Sequence, residues 1–114
     1  MTYSQFDIVV VPFPFTEAST SKRRPAIILS SKKNFNASTK RSVMAMITTA
    51  SHAPWALDVP IMDLKLAGLK AASVIRMKLF TLDSVLVIKR IGTLSQGDRE
   101  AVKQTLQELF EWEN

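Results

Sequence analysis

The 114-residue sequence contains no cysteine and only one histidine. Without cysteine, the chain cannot form a disulfide, a thiolate metal site or a cysteine nucleophile. A single histidine and the lack of a close cluster of carboxylates argue against a metal site, and we expect no cofactor. Any phosphate chemistry would then have to run without a metal ion.

The sequence also lacks long apolar runs and a cationic, signal-like N-terminus. No apolar stretch approaches the roughly 20 residues that span a bilayer. We therefore expect a soluble, cytoplasmic protein with no membrane association. The length suits a single domain, which we predict to span residues 1–114.

Acidic residues are missing from one long basic segment. Seven of the 15 lysines and arginines lie between Lys22 and Arg41, and this segment has no aspartate or glutamate. Residues 1–97 carry a net charge of +8, whereas the remaining tail carries −3. Such clustering favours a polyanionic partner, with RNA and DNA as the leading candidates. The alternative is a solvated basic surface that only maintains solubility.

Short β-branched apolar runs alternate with polar turns along the chain. They predict strands at Asp7–Val11, Pro25–Ser31, Ser42–Thr49, Ser73–Leu79 and Val85–Ile91, with Leu57–Ile61 as an edge strand at best. Loops are predicted at Thr16–Arg24 and Lys32–Arg41, and a turn at Thr81–Ser84. Residues Met62–Lys70 fit either a helical turn closed by Gly68 or an extended segment.

The C-terminal region is predicted to form the one clear helix. Ser95 and Asp98 resemble a variant of the capping box. One face, which is mostly apolar and which we expect to pack on the barrel, then carries Val102, Thr105, Leu106, Leu109 and Phe110. The strands and this helix together predict a small, mainly β barrel with a C-terminal helix.

Three consecutive cations precede a proline and a predicted strand in Lys22-Arg23-Arg24-Pro25. Proline restricts the preceding residue to an extended conformation, so Arg24 should be held stiffly at the strand entrance. A planar guanidinium on a rigid strand end suits a phosphate. The alternative for Arg24 is an ordinary surface ion pair.

Four motifs occur in a familiar order: residues 6–15 (FDIVVVPFPF), Arg24-Pro25, Ile47-Thr48-Thr49 and Ser73-Val74-Ile75-Arg76. With them the chain resembles the PemK/MazF family of toxin endoribonucleases over nearly its whole length. The resemblance implies an SH3-like small β-barrel of the CcdB/MazF/Kid type. It also implies sequence-selective, metal-independent cleavage of single-stranded mRNA by 2′-OH attack, which leaves a 2′,3′-cyclic phosphate and a 5′-OH. A homodimer and an antitoxin with an acidic C-terminal segment are the implied partners.

The resemblance also implies three catalytic residues. Arg24 would stabilise the charged phosphorane, and the hydroxyl of Thr48 would hold the scissile phosphate or the attacking 2′-OH. Arg76 would be a second cation or the general acid. From residue type alone, β-propensity is the simpler explanation of Thr48 and Thr49, and only their pairing with Arg24 makes them site candidates.

Further residues are candidates for RNA binding because they are basic, polar or aromatic beside these motifs. They are Lys22, Arg23, Thr49, Lys32, Lys33, Lys40, His52 and Trp55, with Phe35 as a weaker candidate. For the two aromatic rings, the alternative is that they close the rim of the barrel.

The chain departs from the PemK-type pattern at two points. Lys78 stands where an aspartate is expected two residues after Arg76, and the first loop has no histidine. His52 could replace the missing base, although a surface histidine is the simpler interpretation and predicts little effect of its removal. A non-catalytic nucleic-acid-binding barrel and a gyrase-targeting toxin of the same fold remain the alternative functions.

Overall fold

The computed structural model of the protein describes residues 2–14 and 22–113. Six strands are present in this part of the chain: β1 (Asp7–Phe13), β2 (Lys22–Ile28), β3 (Arg41–Thr49), β4 (Val59–Pro60), β5 (Ser73–Asp83) and β6 (Lys89–Thr93). The helical segments are a π-helical turn (Lys32–Asn36) that continues into α1 (Ala37–Thr39), α2 (Leu64–Ala67), a 3-10 turn (Ser84–Leu86) and α3 (Gln96–Leu109). None of the described helices is long and apolar enough to cross a membrane.

All six strands belong to one sheet with the order β4-β5-β3-β2-β1-β6, and every neighbouring pair is antiparallel. The register shifts between Ala45 and Ile47 on β3, and between Ile8 and Val9 on β1. Such irregularities bend a strand and increase its twist. The sheet therefore curls into a half-barrel, and the predicted mainly β fold with a C-terminal helix is confirmed.

Apolar side chains cover both faces of the curled sheet. Because successive residues of a strand point to opposite faces, each strand contributes to two clusters. The first cluster includes Ile8, Ile27, Ala45, Ile47, Ile75 and Val102 of α3. The second includes Val9, Val11, Ala26, Ile28, Met44 and Leu82. At one end of the strands, the side chains of the second face are polar and charged instead of apolar.

Helix α3 begins at Ser95, as the sequence predicted, but its first turn differs from a capping box. The Ser95 hydroxyl accepts from the backbone N–H of Asp98 at 3.2 Å. The buried Asp98 carboxylate does not turn back to Ser95, and instead accepts from the backbone N–H groups of Met62 and Asp63, both at 3.1 Å. These bonds attach the start of α3 to the segment before α2.

The predicted apolar face of α3 packs on the sheet only in part. Val102 is fully buried, and Leu106 is half-buried against the first cluster. Leu109 and Phe110 remain 36% and 51% exposed. The last turn of the helix therefore leaves apolar surface uncovered.

The prediction of a loop at residues 32–41 is wrong. Ser31 caps a helical segment there by accepting from the backbone N–H of Asn34 at 3.0 Å. Asn36 is fully buried, and its amide nitrogen donates to the carbonyl oxygens of Tyr3 and Ser30, both at 3.0 Å. This internal anchor fixes the segment as a compact helical turn.

The predicted turn at residues 81–84 and the predicted strand at residues 85–91 are also wrong in their bounds. Strand β5 continues to Asp83, because Thr81, Leu82 and Asp83 pair with the start of β3. The next strand starts only at Lys89 and runs through Gly92, where a Cβ would lie 2.4 Å from the backbone of Ala67.

Three other boundaries are settled by local capping and pairing. Residues 62–70 contain the short helix α2, whose end at Gly68 adopts a left-handed φ of 76°. Strand β2 begins at Lys22, so the predicted loop at residues 16–24 is wrong for its last three residues. Its first residues, 16–21, lie outside the described part of the chain. Only residues 59–60 of the predicted edge strand at 57–61 form β4.

Candidate active site

Four strand segments meet at the polar end of the second face. The register of β2 and β3 pairs Ala26 with Met46 at the last paired position, and Arg24 and Thr48 lie two residues beyond it on their strands. Strand β5 adjoins β3 there, pairing Val74 with Thr48. The segments enclose a cleft of about 170 Å³, lined by Phe13, Arg24, Met46, Ile47, Thr48, Trp55, Arg76 and Lys78. The three predicted catalytic residues therefore come together from three different strands.

Arg24 and Lys78 approach the same aromatic ring. The guanidinium carbon of Arg24 lies 5.7 Å from the centroid of the Phe13 ring, and Lys78 Nζ lies 5.1 Å from it. Both are within the range of a cation–π interaction, which orients the cations without neutralising them. Within the described residues, Arg24 forms no ion pair with a carboxylate. Among these residues, the guanidinium of Arg24 therefore has no carboxylate partner that would compete with an anion.

Arg76 is held by a carboxylate that the sequence did not identify as part of the site. Its Nε donates to Asp58 Oδ1 at 3.2 Å, and its Nη2 donates to Asp58 Oδ2 and to the Ala53 carbonyl, both at 2.9 Å. The hydrogen bond from Arg76 holds the pKa of Asp58 below its ordinary value, against the opposing effect of burial. The same bond raises the pKa of Arg76 further above its ordinary value. Arg76 thus remains a fixed cation in the cleft.

Trp55 covers the guanidinium of Arg76. The guanidinium carbon lies 5.0 Å from the ring centroid, and the ring is still 49% exposed. The backbone N–H of Trp55 donates to Asp58 Oδ2 at 2.9 Å, and the intervening Leu57 adopts an unusual left-handed φ of 67°. Asp58 therefore fixes both the loop and the cation beneath the ring. No sequence spacing predicts this, because Asp58 and Arg76 are 18 residues apart and meet only through the pairing of β4 with β5.

The hydroxyl of Thr48 contacts the single histidine. Thr48 Oγ1 lies 2.6 Å from His52 Nδ1, and Thr49 Oγ1 lies 3.4 Å from the same nitrogen. The backbone N–H of His52 donates to the Thr49 carbonyl at 3.2 Å, which closes the turn after β3. This tight turn brings the exposed imidazole back beside the end of the strand.

Several of the predicted RNA-binding residues lie away from the cleft. Lys32, Lys33 and Lys40 follow β2 or precede β3, at the opposite end of the sheet. Arg41 and Thr48 are seven residues apart along β3, which is about 23 Å at roughly 3.3 Å per residue. Phe35 lies in the same distant turn.

Lys22 and Arg23 occupy the first two positions of β2, and both are exposed. Alternation along the strand places Lys22 on the face of Arg24 and Arg23 on the opposite face. Among residues 2–14 and 22–113, no three histidine, aspartate or glutamate side chains are grouped as metal ligands.

Comparison with known proteins identifies the family. A family model described as PemK-like, MazF-like toxin of type II toxin-antitoxin system matches residues 4–110. No curated protein gives a significant match.

Three solved structures share the fold at low sequence identity. The Mycobacterium tuberculosis toxin MazF-mt6 has a TM-score of 0.72 and 21% identity, covering 95% of this chain and 99% of that chain. A MazE-MazF structure (Form-III) from Deinococcus radiodurans has a TM-score of 0.75 and 20% identity, covering 99% of this chain and 100% of that chain. An endoribonuclease in complex with its cognate antitoxin from Mycobacterial species has a TM-score of 0.71 and 12% identity, covering 99% of this chain and 97% of that chain. With the family model spanning nearly the whole sequence, these matches confirm the predicted resemblance, and the chain belongs to the family of PemK-like and MazF-like toxins of type II toxin–antitoxin systems.

Proposed function

We propose that the protein is a metal-independent endoribonuclease that cleaves single-stranded RNA, in particular mRNA, by attack of the 2′-OH on the adjacent phosphate. The observation that carries this proposal is the meeting of Arg24, Thr48 and Arg76 in one cleft. Two fixed cations and a hydroxyl can bind a phosphate and stabilise the additional charge of its transition state. The products would be a 2′,3′-cyclic phosphate and a 5′-OH.

The three side chains have different roles in this proposal. Arg24, which has no ion-pair partner among the described residues, binds the scissile phosphate and stabilises the phosphorane. Thr48 hydrogen-bonds to the attacking 2′-OH from the neighbouring strand. Arg76 acts as a second cation rather than a general acid, because the Asp58 carboxylate raises its pKa and disfavours proton release. Its Nη1, which donates to no described residue, remains available to an RNA oxygen.

The surrounding residues would bind the rest of the RNA chain. Trp55, with half its surface exposed, can stack on an unpaired base. Lys78 lines the cleft, and Lys22 and Thr49 lie two residues and one residue along their strands from Arg24 and Thr48, so that these side chains can contact flanking phosphates. Arg23, Lys32, Lys33 and Lys40 would contact only a longer RNA that continues over the molecule.

The partners we propose are a second copy of the chain and an antitoxin, both in the cytoplasm. Structural relatives in the MazE-MazF complexes support an antitoxin partner, and the +8 charge of residues 1–97 suits an acidic antitoxin segment. Phe110 and Trp112 are 51% and 88% exposed beside α3. Such apolar surface is typical of a protein–protein interface, and we assign it to the second copy of the chain.

The test compares two arginine variants on one RNA in the presence of EDTA. We expect Arg24→Ala to slow cleavage by about 100- to 1,000-fold, the usual cost of removing a donor to a developing anion. Arg41→Ala removes the same charge at the far end of β3, where an exposed ion pair with Asp83 adds little to stability. This control should cleave at nearly the wild-type rate. RNA binding without cleavage by the wild-type protein would instead indicate a non-catalytic binding barrel.

A further inference from the structure

The contact between Thr48 and His52 places the imidazole, a proton acceptor, next to the Thr48 hydroxyl that lines the cleft. The distance of 2.6 Å between Thr48 Oγ1 and His52 Nδ1 is that of a strong hydrogen bond. In the neutral ring with its hydrogen on Nε2, Nδ1 accepts the hydroxyl hydrogen of Thr48. The lone pairs of the threonine oxygen are then left for a donor on the other side.

We propose that His52 orients the Thr48 hydroxyl and takes up its proton while Thr48 receives the proton of the attacking 2′-OH. This inference rests on the proposed ribonuclease activity. His52 would then act as the base in place of the aspartate that the family pattern has at position 78, where this chain carries Lys78.

The proposed step is balanced in bonds and protons. The 2′-oxygen forms a bond to phosphorus as its proton passes to Thr48 Oγ1, and the hydroxyl proton of Thr48 passes to His52 Nδ1. The bond between phosphorus and the 5′-oxygen breaks, and the 5′-oxygen takes a proton from a water molecule. The imidazolium then returns its proton to the resulting hydroxide, so that no net charge is left on the protein.

The other charged groups around the cleft are three cations and one carboxylate that is paired with Arg76. In the described part of the chain they are Arg24, Arg76, Lys78 and Asp58. Arginine and lysine ordinarily titrate above pH 10, and Arg76 holds the pKa of Asp58 below its ordinary acidic range. Histidine is the side chain whose ordinary charge change lies nearest neutral pH, so comparison of wild type with a His52 variant assigns any such change in rate.

The test is the pH dependence of single-turnover cleavage by wild type and by His52→Gln. A glutamine amide can still accept a hydrogen bond from Thr48, but it cannot take up the proton. The wild-type rate should rise with pH and then level off, because only the unprotonated imidazole can accept the hydroxyl proton. We expect His52→Gln to lose this rise and to be about 100-fold slower at pH 8, with unchanged affinity for a non-cleavable 2′-deoxy RNA.

Two further variants separate this account from a structural effect. Ser51→Ala removes the hydroxyl that lies 3.0 Å from Thr49 Oγ1 in the same turn, and it should keep the wild-type pH profile. Thr48→Val combined with His52→Gln should be no slower than the slower single variant, since the two residues act as a unit. A His52→Gln enzyme that keeps the acid limb, or additive losses in the double variant, would overturn the inference. Absence of any cleavage by the wild-type protein would overturn the proposed function itself.

Discussion

Asp58 acts on the cleft through one carboxylate that accepts three hydrogen bonds. Two come from Arg76 and one from the backbone N–H of Trp55. The side chains of Asp58 and Arg76 are both only 12% exposed, so the pair is largely shielded from water. A largely buried cation needs such a partner, and the partner also fixes its direction. The position of Arg76 in the cleft therefore depends on Asp58.

Replacing Asp58 should change both cleavage and the pH dependence of stability. Asp58→Asn removes the charge opposite Arg76, so we expect slower cleavage with the fold retained. Because the pKa of Asp58 is lowered in the folded state, its stabilising effect is present above about pH 4 and is lost as the pH falls through the lowered folded pKa. The free energy of unfolding, measured in urea, should therefore differ between wild type and Asp58→Asn by a constant amount above about pH 5. The difference should shrink at lower pH.

The control is Glu111→Gln, an exposed acid beyond the end of α3. Its unfolding free energy should follow that of the wild type from neutral to acidic pH. An Asp58→Asn variant whose difference from wild type grows as the pH falls would contradict the assigned direction of the pKa shift.

Among the secondary-structure elements, the helical turn after β2 depends on one buried amide. Asn36 donates to the carbonyl oxygens of Tyr3 and Ser30, and it accepts from the Ser30 hydroxyl. That hydroxyl in turn accepts from the backbone N–H of Val43 at 2.8 Å. The amide thus connects the N-terminus, the turn and the start of β3.

Asn36→Ala should destabilise the protein by about 1 to 3 kcal/mol, because it leaves buried carbonyl oxygens without a donor. Asn34→Ala is the matched control, since Asn34 is exposed and only its backbone N–H is used in the turn. We expect this control to stay within about 0.5 kcal/mol of wild type. Urea unfolding measures both, and equal stability of the two variants would show that the buried amide contributes little.

Helix α3 should respond unequally to the same substitution at two positions of its apolar face. Leu106 is half-buried against the first cluster, so Leu106→Ala should cost about 2 kcal/mol. Leu109 is 36% exposed, and Leu109→Ala should cost less than about 1 kcal/mol. Thermal unfolding at low protein concentration compares the two. Equal, large losses would mean that the last turn of α3 is packed more tightly than its exposure indicates.

Local patterns predicted the elements whose residues carry their own signal. The β-branched runs of β1 and β3 and the apolar period of α3 are such signals, and these elements lie close to their predicted bounds. The turn at residues 32–39 depends on the carbonyl of Tyr3, 33 residues from Asn36. The end of β5 depends on pairing with β3. Long-range partners of this kind leave no local pattern to read.

The same distinction applies to the candidate site. Arg24, Thr48 and Arg76 carry recognisable motifs, and the structure places all three in one cleft. Asp58 carries no such motif, because a single acid within the weak edge strand predicted at residues 57–61 has no distinctive spacing. The contact of His52 with Thr48 follows from the turn at residues 49–52 and could not be inferred from a lone histidine.

At the scale of the whole molecule, two groups of cations lie at opposite ends of the sheet. Arg24, Arg76 and Lys78 line the cleft, whereas Lys32, Lys33 and Lys40 lie at the opposite end. An RNA must extend beyond the cleft by about 20 Å to contact both groups, as judged from roughly 3.3 Å per strand residue. The length of the RNA therefore determines which cations contribute to its affinity.

Reversing the charge of Lys32, Lys33 and Lys40 together should weaken binding of a 20-nucleotide RNA and lower its salt slope by about 2, since each contact to single-stranded RNA contributes about 0.7. A trinucleotide that is confined to the cleft should bind as it does to the wild type. Affinity measured over a range of salt concentrations tests both RNAs. If the salt slope for the long RNA does not change, the chain follows another path over the surface.

The central claim is that the attacking group is the 2′-OH of the substrate, activated in the cleft of Arg24 and Thr48 without a metal ion. The most direct measurement is the cleavage rate, in excess EDTA, of an RNA with a single 2′-deoxy substitution immediately 5′ of the scissile phosphate. We predict that the all-ribo strand is cut to a 2′,3′-cyclic phosphate and a 5′-OH, and that the substituted strand is not cut at this position. Equal cleavage of the two strands, or cleavage only after addition of a divalent ion, would contradict the account.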